Sequence, residues 1–325
     1  MSVRGLRYHV AMQRVSGNLG GPPAQTQFWG WRGHAMINRE AARELPTDMP
    51  AFFRGGGDSL EALASQPDRW KMRGLPSLDV DNRPDHYLNL ERLGGRALPS
   101  ERYSYVAMVA DNHLQPTGQP AYSLGLLPYA IAEGTEKLTA EFALWRHETQ
   151  TNGFDTPLAH QLEQNAIYTA GVLGHFVADA SQPLHVTAHH DGWNPQVEAN
   201  PNGFSTQPGI HSRFESQFVE AAVTPGAVDA LLKPPAELKG TALEVADAYC
   251  RETNGKVKKL YTLDKQGRLD PSKPSAEGRA FAVACVASGA QMLRNLWYTA
   301  WTRSEALEAS MPESTNALEP QLTHA

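Results

Sequence analysis

Cysteine is nearly absent from this chain, with Cys250 and Cys285 the only two. That scarcity excludes a disulfide-dense secreted scaffold. The two thiols could pair, but they read here as free and buried. No run of the roughly 18 apolar residues that a membrane-crossing helix needs is present, so a spanning segment is excluded. Dense Lys/Arg blocks are missing too, and a formal net charge of -6 rules out coating of polyanions by charge alone. It leaves open a metal-assisted enzyme acting on phosphates, because a bound divalent cation reverses the local field. Alternating β-branched residues, the mark of a half-buried strand, are nearly absent. Residues 1–28 lack both sustained periodicity and the apolar core of a secretory signal, and read as a disordered leader or pro-segment.

What remains is ordinary globular material: 325 residues, 41% hydrophobic and 20% charged, enough for a sizeable core. Apolar spacing of three and four predicts helices over Gly33–Leu45, Ser59–Ser65, Leu126–Trp145, Leu158–Ala180, His211–Ala222, Leu243–Leu260 and Ala276–Ala306. Residues 66–120 are rich in Pro, Asp, Asn and Arg and read as long loops, uncommon unless functional. Residues 191–209 read as another loop, and His189 and His190 as part of a surface loop. No internal repeat occurs. The chain is expected to be all-α, a single multi-helix domain over residues 29–308, followed by a disordered tail over 309–325.

Histidine placement is the most informative feature. In Gly174-His175-Phe176-Val177-Ala178-Asp179 and in His211-Ser212-Arg213-Phe214-Glu215, an imidazole precedes a carboxylate by four residues. On a helix that spacing puts both groups on one face, a turn apart. His185 follows Gln182-Pro183-Leu184, just past a helix-ending proline. Three imidazoles and two carboxylates so close in the chain suit Zn²⁺, which takes His nitrogen and carboxylate oxygen. Taken singly, each pair has an ordinary explanation: a structural His–Asp hydrogen bond, or an exposed helical His–Glu pair. Upstream lie Trp29-Gly30-Trp31-Arg32-Gly33-His34, Pro67-Asp68-Arg69-Trp70-Lys71 and Asp85-His86-Tyr87-Leu88-Asn89. Asp68 alone could simply pair with Arg69 or Lys71, which is worth little. The combination is hard to explain by structure alone.

In that order, the motifs Trp-Gly-x-x-Gly-His, an isolated Asp, His-Tyr, Gly-His-x-x-x-Asp, Gln-Pro-Leu-His and His-x-x-x-Glu resemble the superfamily that joins zinc-dependent phospholipase C to the single-strand-specific zinc nucleases. The resemblance covers roughly residues 29–222. It implies an all-α fold with three zinc ions at the bottom of a cleft. Asp68, His86, His175 and Asp179 would hold one ion, with Asp179 bridging to a second. The second would also take His34 and the amino nitrogen and carbonyl oxygen of Trp29. His185, His211 and Glu215 would hold the third. The implied reaction is phosphodiester hydrolysis, with zinc-activated water attacking phosphorus in line. Asp68 would orient or deprotonate that water, and Lys71 (or Arg69) would neutralise developing charge.

Members of this superfamily use a free amino group on the first tryptophan. The active form is therefore expected to begin at Trp29, with three ions bound, or two if Trp29 is not the N-terminus. Glu215 resembles the phospholipase branch, since the nucleases carry Asp there. The Gly-Gly-Asn that nucleases carry after Gln-Pro-Leu-His is replaced by His189-His190-Asp191-Gly192-Trp193. Other features resemble the nucleases: the step from Trp29 to His34, the cation three residues after Asp68, and Tyr87 directly after His86. Tyr87 could stack on a base with Asn89 reading its edge, or simply pack its loop. The acidic residue that helps hold choline has no clear counterpart; Arg32 stands nearest. The reading adopted is a monomeric zinc phosphodiesterase, phospholipase C-like, on a phospholipid head group. The alternative is a nuclease on single-stranded nucleic acid. Its rivals are a zinc-stabilised helical domain without activity and a peripheral membrane binder anchored by Trp29, Trp31 and Trp193. The resemblance implies a secreted or periplasmic protein; the lack of a recognisable signal peptide leaves a cytoplasmic one open.

Overall fold

Long apolar stripes dominate the second half of the chain, and each becomes a long helix in the computed structural model, which describes residues 31–72 and 74–311. The helices Leu127–Asn152, Pro157–Ser181 and Ala276–Glu308 pack on one another and form the frame of the molecule. Among the described residues there is no strand, so the all-α expectation holds. Cys250 and Cys285 are free and buried, also as expected.

The core between these helices is aromatic at its centre. Trp297 is fully buried, stands edge-on to Phe53 and donates its indole N–H to the Ala170 carbonyl. Phe142 packs between Phe53 and Trp301. The Trp31–Ala41 helix lies across this frame, against both Pro157–Ser181 and Ala276–Glu308, and buries His34, Ile37, Asn38 and Ala41. Buried Arg294 donates to the carbonyls of Glu40, Ala41 and Arg43, satisfying the C-terminal end of that helix with a cation where the dipole favours one.

Several boundaries differ from the sequence reading for identifiable reasons. Residues 66–120 are not mainly loop. They hold short helices at Gln66–Arg69, Pro76–Asn82 and Arg102–Asp111, with 3₁₀ turns at Arg83–His86 and Leu90–Leu93. The prolines that read as breakers stand instead in first turns, where a missing N–H costs nothing. The helix expected over Leu243–Leu260 is two, Ala242–Asn254 and Val257–Lys265, meeting at Gly255. The one expected over His211–Ala222 contains a π-helical stretch at Arg213–Phe218. The surface loop expected at His189 is wrong for that residue: His189 is buried and stacked on Trp193, with ring centroids 3.8 Å apart. Trp193 is itself 2% exposed and cannot anchor a membrane.

Candidate metal centre

Five imidazoles and three carboxylates converge on one cleft, brought there by five segments of the chain. The Pro157–Ser181 helix carries His175 and Asp179, both buried, on the face expected from their spacing. Gly174 lets the Trp31–Ala41 helix approach closely enough to add His34. A Cβ at Gly174 would lie 2.0 Å from Asn38 Oδ1, and the Asn38 amide is fixed between the carbonyls of Leu60 and Gly171. The segment around His86 is clamped by three backbone bonds: Leu88 N–H to the His185 carbonyl, Asn89 N–H to Leu124, and Leu126 N–H to Pro84. Gly125, at φ +97°, is needed here because a Cβ would fall 2.0 Å from the Tyr87 carbonyl oxygen. After Ser181 the chain turns, Gln182 Oε1 accepts from the Leu184 N–H, and His185 points inward.

Asp179 is the hub. Its Oδ2 lies 2.9 Å from His86 Nδ1 and 3.3 Å from His175 Nε2. Its Oδ1 lies 3.2 Å from His34 Nε2 and 3.4 Å from His185 Nδ1. Asp68 Oδ1 completes the first set, 3.9 Å from His86 Nδ1 and 3.7 Å from His175 Nε2. Ligands about 2.0–2.1 Å from a tetrahedral ion are separated by about 3.3 Å, so the distances within this set suit one ion. A further group forms where His185 Nε2 stands 3.6 Å from Glu215 Oε2 and His211 Nε2 contacts the same oxygen. Among the described residues, three groups bring ligand atoms within 4.8 Å of one another: His34, His175 and Asp179; Asp68, His86 and His175; His185, His211 and Glu215.

Tautomers support the same assignment. The Nδ1–H of His175 donates to the Ala64 carbonyl at 2.7 Å, that of His185 to His86 at 2.6 Å, and that of His211 to His190 at 3.1 Å. A carbonyl only accepts, so in each neutral ring Nε2 carries the lone pair and faces the cluster, the outer-shell arrangement metal-binding histidines use. His185 Nε2 is buried without a hydrogen-bond partner. These donors fit a divalent ion such as zinc. Every residue assigned to the metals from sequence is in the cluster except Trp29, which lies outside the described residues.

The electrostatics follow from burial and charge. Burial opposes ionisation of Asp68, yet the His175 and Lys71 charges outweigh it and hold the carboxyl at about 2. Glu215 is likewise held at about 2, burial being outweighed by His211 and His185. Burial pushes His86 down to about 3. For His185, burial is overcome by the Asp179 and Glu215 carboxylates, which lift it to about 9. His185 is therefore protonated in the metal-free protein at neutral pH and must lose that proton to bind an ion. Zinc affinity should accordingly rise with pH through neutrality and level off above about 9. Calorimetry in buffers of different ionisation enthalpy should detect protons released per zinc bound; zero release at neutral pH would contradict this.

The cleft has a volume of about 450 Å³. Lys71, Tyr87 and Asn89 line it as expected, and Arg83, Gln119 and Ser123 line it as well. Lys71 Nζ sits 2.7 Å from Asp68 Oδ1, while Tyr87 and Asn89 both donate to the Ser123 carbonyl at 3.3 Å. Two positioning residues escaped the sequence reading. Asp191 Oδ1 accepts from the N–H groups of Gly209 and His211, fixing the start of the turn that carries His211. Glu91 accepts from Thr187 Oγ1 and the Ala188 N–H, bracing the strand of chain after His185. An Asp-Gly pair in a loop was the only local signal for the first, and nothing local marks the second. No protein-family model matches the chain, and no curated protein matches it.

Proposed function

We propose that this protein is a zinc-dependent phosphodiesterase, phospholipase C-like in substrate. The reading rests chiefly on the Asp179 carboxylate, whose two oxygens face two different sets of imidazoles across a cleft lined by Lys71 and Arg83. A carboxylate only 1% exposed among imidazole rings, at the floor of an accessible cleft, suits a bridged pair of ions better than a purely structural one. Asp68, His86, His175 and Asp179 would hold one ion, Asp179 and His34 a second, and His185, His211 and Glu215 a third. Zinc bound there would supply Lewis acidity toward the phosphoryl group and lower the pKa of water.

The protein's own groups do the rest. Asp68 is strongly ionised, which suits it to orienting an attacking water more than to taking its proton. Lys71, held against Asp68, stands where negative charge builds up on the phosphoryl oxygens. Glu215 and the missing Gly-Gly-Asn favour the lipid substrate. The nuclease reading keeps one specific support, the position of Tyr87 and Asn89 on the cleft wall.

The test is hydrolysis by zinc-loaded protein, full-length and beginning at Trp29, of phospholipid in mixed micelles against single-stranded DNA and RNA, with and without chelator. Chelator-sensitive diacylglycerol release is expected. Nucleotide release alone would replace the lipid reading by the nuclease one, and no release of either would remove the enzymatic reading. Head group matters too. The carboxylates lining the cleft are Asp68, Asp179 and Glu215, all within the metal groups, so none is left to face a quaternary ammonium, while Arg83 and Lys71, held by Asp79 and Asp68, line the same cleft. Phosphatidylglycerol should therefore exceed phosphatidylcholine in kcat/KM by about tenfold, equivalent to about 1.4 kcal/mol. Equal values would show that the head group lies away from both cations.

A further inference from the structure

Beside the cleft, the chain leaves an apolar segment uncovered. Met72, Leu75, Leu78 and Val80 are 57%, 48%, 38% and 47% exposed. The Pro76–Asn82 helix that carries two of them has no buried residue. So short a helix has little stability of its own in water. Its C-terminal turn is braced by the Arg83–Asp79 ion pair and by the Asn82 side chain on the Leu78 carbonyl. Both ends run into the cleft: Lys71 precedes the segment, Arg83 follows it, and both line the cavity. Trp31, 65% exposed, stands nearby with the Arg69 guanidinium 5.0 Å from its ring centre.

We propose that the lip formed by Met72, Leu75, Leu78 and Val80 docks the protein on a phospholipid bilayer and turns the cleft mouth toward the head groups. The inference rests on the lipid reading above and adds the physical state of the substrate. Two features identify the occupant, and two alternatives fit less well. Exposed apolar side chains flanked by Arg69 and Arg83 match an interface whose acyl boundary lies just beneath a layer of phosphates. A tryptophan with a cation over its ring suits the same depth. A nucleic acid would need exposed cations along its path, whereas between its apolar side chains this lip carries the carboxylates Asp79 and exposed Asp81. A second copy of the chain is a poorer match, because four partly exposed side chains fall well short of the about 800 Å² per partner that a stable dimer buries.

The experiment uses the full, zinc-loaded chain and vesicles of a non-hydrolysable phosphonate analogue of phosphatidylcholine. Co-sedimentation is compared for the wild type and the double variant Leu75→Asp/Leu78→Asp. Both positions are exposed, so the fold should tolerate them. The wild type should sediment with vesicles, and the variant should bind at least about tenfold more weakly. Hydrolysis of the soluble diester bis-p-nitrophenyl phosphate should be equal for the two proteins. Equal sedimentation of both would overturn the docking proposal and leave the enzymatic reading standing. So would a wild-type dimer, seen by sedimentation velocity, that the variant abolishes, or a parallel loss of soluble-substrate hydrolysis. If neither the full chain nor the chain beginning at Trp29 hydrolyses any phosphodiester, the functional reading fails whatever the vesicles show.

Discussion

Asp179→Asn should strip the protein of most of its zinc and lower phosphodiester hydrolysis by more than the roughly 10–100-fold that an outer-shell change at a metal site costs. The substitution keeps the shape of the side chain and removes its charge. An amide nitrogen, which is not a metal ligand, would then replace one oxygen, and whichever side it faces, one set of imidazoles loses its carboxylate oxygen: His86 and His175 on one side, His34 and His185 on the other. The loss should appear both in metal content by atomic emission and in rate, since both oxygens of this carboxylate face imidazoles. The metal-free protein should suffer as well. Asp179 is held far below the usual carboxylate range because the His185 and His175 charges outweigh its burial. Its stabilising contribution is therefore present above about pH 4 and disappears on acidification. Removing one partner of such a buried set costs about 3–5 kcal/mol. A variant with full zinc content and normal turnover would mean that Asp179 bridges nothing.

Gly174→Ala should destabilise the protein by about 1–3 kcal/mol and lower metal content in the same step. The added methyl would meet Asn38 Oδ1 at 2.0 Å and Asn38 Nδ2 at 2.6 Å. That amide cannot swing aside cheaply, since Nδ2 donates to Leu60 and Gly171 across two helices. Relief comes only by moving the Trp31–Ala41 helix outward, which carries His34 away from Asp179 and from the His175 ring stacked on it at 4.1 Å. Urea unfolding of the single variants and of Asn38→Ala/Gly174→Ala provides the check. The alanine should cost less in the double variant than in the wild type, an interaction of at least about 0.5 kcal/mol. Strict additivity would place the strain elsewhere.

Much of the candidate site was legible because helical spacing is local information. His175 with Asp179 and His211 with Glu215 share faces for the simple reason that four residues make about one turn. The second pair survives even though its helix widens into a π turn at Arg213–Phe218. Residues 66–120 were misread because segments of four to ten residues carry too little periodicity, and because a first-turn proline looks the same in sequence as a breaker. His189 and Trp193 were misplaced for a different reason. Polar neighbours in a loop say nothing of a ring stacked on another ring, with the His189 carbonyl accepting from Tyr261 Oη and His189 Nδ1 accepting from the Asn194 N–H.

By itself, then, the amino-acid order determined the helical class of this protein, which imidazoles face the same way as which carboxylates, and where the helix before His185 must stop. Each of those follows from interactions within one or two turns of chain. Only the tertiary structure decided that Asp179 divides its oxygens between two sets of rings, that Asp191 and Glu91 brace the segments carrying His211 and His185, and that Leu75 and Leu78 stay uncovered beside the cleft. Those depend on how closely helices distant in sequence approach, and that approach is set by packing at points such as Gly174 against Asn38.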